Sequence, residues 1–174
     1  LAPVGGYDIF FAKYSASGGY QWAKNIGSAT FDYGTSIAVD DSGNVYITGF
    51  FQGTADFDPG AGTANLTAVG LDDIYFAKYD GSGNYIWAKA MGGTNSDKSY
   101  SIAVDASGNV YTTGTFNGTA DFDPGAGTVN LTALNFKDIF FAKYDASGNY
   151  LWAKSIGSTT DDFGQSVAVV SGNV

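Results

Sequence analysis

The chain contains no histidine, cysteine, arginine or glutamate; its charged side chains are 8 Lys and 17 Asp, for a formal net charge of −9. Without an imidazole, a thiolate or a guanidinium fork, the commonest acid–base, nucleophilic and anion-clamping chemistries have no side chain to run on. An enzyme here would be left with Asp, Lys and Tyr, and no constellation of these is confined to one place in the sequence. We therefore expect no catalytic activity. The lack of cysteine fits a reducing compartment, and equally a secreted bacterial protein stabilised by packing instead of disulfides. Each Lys sits alone among apolar or polar neighbours, which excludes the clustered cationic surface that nucleic acid requires. No apolar run approaches the roughly 20 residues of a spanning helix, so membrane insertion is not expected. Leu1–Gly6 lacks the basic and apolar regions of an export leader and the first residue is not Met, so a mature or trimmed chain is expected.

What the chain does have is a period. Asp8-Ile9-Phe10-Phe11-Ala12-Lys13-Tyr14 returns at Asp73–Tyr79 and again at Asp138–Tyr144, a spacing of 65 residues with no gap. Most positions of the first two copies are identical, so the copies share one structure and one kind of environment. A specialised site would need one copy to differ. The boundaries read as one array over 1–174, with repeats at 8–72 and 73–137 and a partial repeat at 138–174.

Within a repeat, strand signals come in a fixed order. Ser36–Asp40 is a short apolar run (strand A), Asp41-Ser42-Gly43 a turn, and Asn44–Phe51 a second run rich in β-branched and aromatic residues (strand B). After an intervening segment come Asp73–Tyr79 (strand C), the turn Asp80–Asn84, and Tyr85–Met91 (strand D). No segment keeps a 3.6-residue apolar period long enough for a helix, and Gly or Asn-Gly punctuation arrives too often. In strand C, Ile139 and Phe141 alternate with Phe140, Ala142 and Tyr144, so both faces carry apolar bulk and both must be covered. Tandem four-stranded antiparallel meanders buried on both faces describe propeller blades, not one sandwich with a polar outer face.

The strings at 138–154 (DIFFAKYDASGNYLWAK) and 101–111 (SIAVDASGNVY) resemble SBBP repeats, the β-propeller repeats of secreted and surface proteins of bacteria. The resemblance covers almost the whole chain. It implies a propeller-type fold in a large exported protein, and no defined activity. Ser15 and Gly19 depart from the Asp and Asn of the later turns, which weakens one turn only. The fold class is thus all-β, with tandem four-stranded blades. They number fewer than three, whereas closed rings usually take four to eight. The array is expected to be open, completed by other copies of itself or by further blades of a longer chain.

Three places draw attention as sites. The Asp-x-Ser-Gly-Asn turns at 80–84, 105–109 and 145–149 offer a carboxylate each, which suits hairpin turn chemistry and falls far short of the six to eight oxygens of Ca²⁺. The B–C insert, Gly53–Thr67 and again Gly118–Thr132, explains why the repeat exceeds the about 40 to 45 residues of an ordinary blade. Pro59-Gly60 signals a type II turn, so the insert should fold back as a hairpin with Phe57 and Leu66 packed on the blade. Asp56 and Asp58, with Asp121 and Asp123, could donate carboxylates to a calcium ion; no other cofactor is expected. The D–A connections (27–35, 92–100 and 157–165) share little beyond Asp32, Asp97 and Asp162. They lie at the same end as the insert, where a ligand surface would draw on their variation, although exposed loops also drift without cause.

The Tyr-x-Trp of strand D (Tyr20/Trp22, Tyr85/Trp87, Tyr150/Trp152) suits sugar stacking, but filling the gap between blades is the simpler use. Lys13, Lys24 and their equivalents should lie along outer strands as charged blockers of edge pairing. The expected function is a non-enzymatic structural or adhesive repeat protein, extracellular or on the bacterial surface, with blades that assemble head to tail into a ring or filament. The alternative is a carbohydrate- or calcium-binding propeller module using the B–C insert face.

Overall fold

A computed structural model describes residues 1–2 and 4–170. Strands β1 (Ile9–Tyr14) and β2 (Tyr20–Ile26) form a half-blade, the C and D strands of the first copy. A full blade follows: β3 (Asp32–Val39), β4 (Val45–Phe51), β7 (Asp73–Tyr79) and β8 (Tyr85–Gly93), with a short hairpin, β5 (Thr54–Asp56) and β6 (Asn65–Thr67), between its second and third strands. The second blade is β9 (Lys98–Val104), β10 (Val110–Asp121), β11 (Asn130–Tyr144) and β12 (Tyr150–Ile156). All ladders are antiparallel and run A–B–C–D, as the apolar runs require. No α-helix occurs among the described residues.

Every residue of β4 is buried, and β7 is buried on both faces apart from half-buried Lys78. Alternate residues of β7 serve two neighbours. Tyr79 packs on Phe11 of the half-blade, ring centres 4.7 Å apart, while Phe76 packs on Tyr144 of the second blade at 4.4 Å. The A strands lie side by side: Thr35 Oγ1 donates to the Ser99 carbonyl at 2.8 Å and the Ile102 amide to Ser36 Oγ at 3.3 Å. Val167 repeats that second bond to Ser101 Oγ at 3.2 Å, so the next connection already follows the same path. Blades packed face to face, A strands adjacent, are the propeller arrangement, and among the described residues the array does not close.

Four expectations are corrected. Strand A starts earlier than Ser36, at Asp32 and Lys98, because the end of the D–A connection continues the ladder across an irregularity at Gly34/Ser36 and Thr113/Gly114. The partial third repeat, whose sequence also reads as a third A strand followed by the start of a B strand at Ser171–Val174, shows no strand over 157–169, and Ser171–Val174 lie outside the described residues. The insert is a hairpin with Phe57 buried and Leu66 half-buried, but Gly60 has no positive φ, so its turn is not type II. Asp58 Oδ1 instead accepts the Gly60 amide at 2.8 Å, an Asx turn. Finally, Lys13, Lys78 and Lys143 lie on C strands, not on outer edges. Lys78 reaches Asp40 at 4.0 Å over the Tyr46 ring, and Lys143 reaches Asp105 at 3.9 Å over Tyr111.

The insert also does something the repeat pattern does not show. In the second blade its strands are continuous with β10 and β11, and β10 pairs with the end of β8 through Ala120↔Gly93 and Asp121↔Gly92. Two blades thereby join in one eight-stranded sheet. The same clasp ties the first blade to the half-blade through the Gly27↔Asp56 bridge. A Cβ at Gly93 would collide with the Thr119 carbonyl, so the close backbone approach requires glycine there.

Candidate functional site

Alternate loops of a meander fall at opposite ends of a blade. The A–B and C–D turns occupy one end and behave as hairpin chemistry. Asp80 Oδ1 accepts the Ser82 and Asn84 amides at 2.8 and 2.9 Å and Oδ2 accepts Asn84 Nδ2 at 2.8 Å, while Gly83 takes φ 76°. These bonds, led by the Asn84 amide, hold the Asp80 carboxyl below its usual range. Asp40 and Asp105 also sit below theirs: burial pushes each up, but the bonds from Asn44 and Tyr46, and from Asn109 and Tyr111, outweigh it. In the first copy Ser15 Oγ alone accepts the Gly19 amide, at 2.9 Å.

The same turns cap the D strand of the preceding blade. Gly83 lies against Trp22 and Lys24, and Trp87 Nε1 donates to the Ala146 carbonyl at 3.3 Å. Trp87 also packs edge-on against Phe76 at 5.6 Å. These Trp residues fill the space between blades.

The other end carries the insert and the D–A connections. Asp56 Oδ1 accepts the Asp58 and Ala64 amides at 3.0 and 2.8 Å; Asp121 Oδ1 does the same for Asp123 and Val129 at 3.0 and 2.8 Å. Asp123 Oδ1, like Asp58 Oδ1, accepts a glycine amide, that of Gly125 at 2.8 Å. The structure thus brings the four candidate ligands together only in pairs, one pair per insert, each shaping its own loop. No group of three or more His, Cys, Asp or Glu able to hold a metal occurs among the described residues. The insert is pinned to its blade by buried hydroxyls: Tyr79 donates to the Phe57 carbonyl and Tyr144 to that of Phe122, each at 3.0 Å.

The three carboxylates shared by the D–A connections turn out to be junction pins. Asp97, fully buried, accepts the Gly93 amide from the end of β8 on Oδ2 at 2.7 Å and the Asn117 amide of β10 on Oδ1 at 3.0 Å. It therefore bonds to both blades at once. Burial raises its carboxyl to about 6, the charges of Asp73 and Asp72 adding to that, against the two amide bonds. Asp32 and Asp162 hold the Ser28 and Ser158 amides at 2.6 and 2.7 Å.

Beside each pin, three positions form a small platform that differs in every copy. The Asp32, Asp97 and Asp162 amides donate to the carbonyls of Tyr7, Asp72 and Lys137 at 2.8, 2.7 and 2.8 Å, which fixes the equivalence. The platforms are Tyr7/Phe31/Tyr33, Asp72/Ser96/Lys98 and Lys137/Asp161/Phe163. Sequence reasoning located this variation and the shared Asp, but not the platforms. Their one signal was the cluster of three aromatics around the first connection, where the later copies have polar residues at every position but Phe163.

Comparison with known proteins agrees with the blade reading. The family model described as the SBBP beta-propeller repeat matches residues 21–49 and 86–123. Both matches start in strand D and run through A into B, at the same phase of the period. Among curated proteins, the chain is 28% identical over 159 residues to an uncharacterized WD repeat-containing protein, L264, of Acanthamoeba polyphaga mimivirus, covering 75% of this chain and 11% of that protein. It is 27% identical over 181 residues to the regulatory protein FlaEY of Caulobacter vibrioides, covering 98% of this chain and 19% of that protein. The chain therefore spans only a small part of the length of either relative.

Proposed function

With two segments matching a β-propeller repeat and blades that pack face to face, we propose that this chain is a non-enzymatic structural or adhesive module of an exported bacterial surface protein, whose blades associate head to tail with further copies. One observation carries the association. Phe10 and Tyr14 on β1 are 71% and 60% exposed, whereas Tyr75 and Tyr79, and Phe140 and Tyr144, at the same repeat positions, are 0% exposed. Tyr79 and Tyr144 are covered by Phe11 and Phe76 of the preceding blade, and Tyr75 and Phe140 by Phe57 and Phe122 of their own inserts, so the exposed pair presents the surface that a blade with its insert would cover. At the far end Ile139, Phe141 and Trp152 are only half-buried, and they repeat Ile9, Phe11 and Trp22, which do the covering. Beside β1 an apolar cleft of about 410 Å³, lined by Ile9, Phe11, Ile37 and Ile47 among others, extends the same unfilled surface. Light scattering across a concentration series should show association that Tyr14→Asp weakens by roughly tenfold or more. A monomer at every concentration would remove the association.

A second reading, a ligand-binding module using the end with the insert and the D–A connections, draws on the copy-specific platforms there. Its calcium form has less behind it. Each insert supplies two carboxylates, each with one oxygen already serving a loop amide, against the six to eight oxygens that Ca²⁺ takes. Millimolar calcium is expected to leave the melting temperature unchanged. A rise of several degrees that chelator reverses would restore the cation.

A further inference from the structure

At the insert end, side chains from two junctions converge on one cleft of about 430 Å³, lined by Tyr7, Phe31, Tyr33, Phe50, Gln52, Asp72 and Lys98. Its volume lies within the roughly 300–1,000 Å³ of small-molecule sites. One wall is a staircase of rings: Phe31 to Tyr7 at 5.6 Å, Tyr7 to Tyr33 at 5.4 Å, and Tyr33 stacked on Phe50 at 4.7 Å. The first three are exposed, and only Phe50 is buried. The opposite wall is polar and already ordered. Asp72 receives Gln52 Nε2 at 2.7 Å on one oxygen, and Ser96 Oγ at 2.6 Å and Lys98 Nζ at 3.2 Å on the other. Lys98 also covers the far side of the stack, its Nζ 4.2 Å from the Phe50 centroid.

We infer that this cleft binds a neutral pyranose, as one or two residues of an oligosaccharide. The C–H face of a sugar ring is apolar and packs on an aromatic face, while its equatorial hydroxyls point sideways and need groups that both donate and accept. The geometry supplies both: exposed rings on one wall and, at one end, a carboxylate, an amide and an ammonium held in place by one another. Asp72 and Lys98 cancel each other's charge, which favours an uncharged ligand despite the acidity of the chain. A proline-rich peptide also lies on aromatic ridges, but it asks for a donor aimed at its carbonyls, and here the polar groups are gathered at one end beside a carboxylate.

The repeat explains why this happens once. The ring staircase needs the aromatic platform of the first junction, and the polar wall needs the Asp/Ser/Lys platform of the second. The third junction, with Lys137, Asp161 and Phe163, lacks both sets. Here copies that otherwise agree differ around a common cavity. The inference gives the adhesive half of the proposed function its ligand class and rests on that half only, since the cleft lies at a blade end and not on the surface proposed to associate. A failed association test leaves it standing.

The test is an NMR titration of the whole chain with cellohexaose, xylohexaose, mannohexaose and chitohexaose, following the ring signals of Tyr7, Phe31 and Tyr33. At least one sugar should shift them, with Kd in roughly the 10 μM to 1 mM range. Tyr7→Ala and Gln52→Ala should each weaken that binding by roughly tenfold, and Asp58→Asn, in the insert, should not. Because Tyr7 is exposed, its loss leaves the fold intact, which circular dichroism checks. Three results would overturn the inference: no ring shift with any of the four sugars, shifts caused by a proline-rich decapeptide but by no sugar, or wild-type affinity in folded Tyr7→Ala.

Discussion

Phe76→Ala should lower the free energy of unfolding by about 3–5 kcal/mol, while Phe141→Ala, the same residue one period later, should cost less than half as much. Phe76 is fully buried between two blades, with Tyr144 at 4.4 Å and Trp87 at 5.6 Å. Removing the ring loses its transfer energy and leaves a cavity walled by rigid aromatic groups that cannot collapse into it. Phe141 keeps its edge contact with Trp152 at 5.1 Å, but among the described residues no blade covers it and it is only half-buried. The local strand is nearly identical in both places, so propensity and intrablade pairing cancel and the difference isolates packing between blades. Urea denaturation of the two variants measures it, since the stability of a repeat protein is a sum over its units and their interfaces. Equal costs would mean that each blade is stabilised from within, and the face-to-face arrangement would lose its energetic basis.

That comparison also marks how far the sequence could be read. The 65-residue period, the A–B–C–D meander and the need to cover both faces of strand C followed from apolar runs and alternation alone, because each is local. Asp80, Ser82, Gly83 and Asn84 gave their turn for the same reason: all its bonds span at most four residues. What stayed hidden involves partners brought together by the fold. The clasp between β8 and β10 joins Gly93 to Ala120, and nothing in either stretch names the other. Lys78 looked like a solvent-facing guard until β4 placed Tyr46, and the turn before it Asp40, beneath it. In place of the type II turn, Asp58 Oδ1 takes the Gly60 amide in an Asx turn, and Gly60 has no positive φ. The cleft at the insert end unites positions 7, 31, 33, 50, 52, 72 and 98, which no short motif could announce. Its trace in the sequence was only the three aromatics gathered around the first connection.

The shared Asp leads to the other large effect. Stability should fall as pH rises from about 5 to 7.5, by about 1–2 kcal/mol from Asp97 alone, its carboxyl moving from the ordinary 3.8 to about 6 in the fold. A folded-state value above the unfolded one means that the folded chain binds the proton more tightly. The resulting stabilisation is complete below 3.8 and is lost as pH climbs through about 6. The ionised group then stands buried near Asp72 and Asp73, of which Asp72 is paired with Lys98 at 3.2 Å. Asp32 and Asp73, both also raised chiefly by burial, act in the same direction. Asp40, Asp80, Asp105 and Asp145 oppose it only in more acid solution, because their lowered carboxyls lose stabilising bonds as pH drops below 3.8. The optimum should therefore lie between about 4 and 5. Asp97→Asn should be less stable than the parent at pH 5, since its amide nitrogen cannot accept from Gly93 or Asn117, yet lose most of the slope above it. Equilibrium denaturation of both proteins at pH 5 and 7.5 decides the matter. A parent that grows more stable toward neutrality, or one whose slope is no steeper than that of the Asp97→Asn variant, would show that the junction carboxylate is not strained by its burial. If the slope is found, the residue that ties one blade to the next is also the one that makes their union weaker at neutral pH than in mild acid.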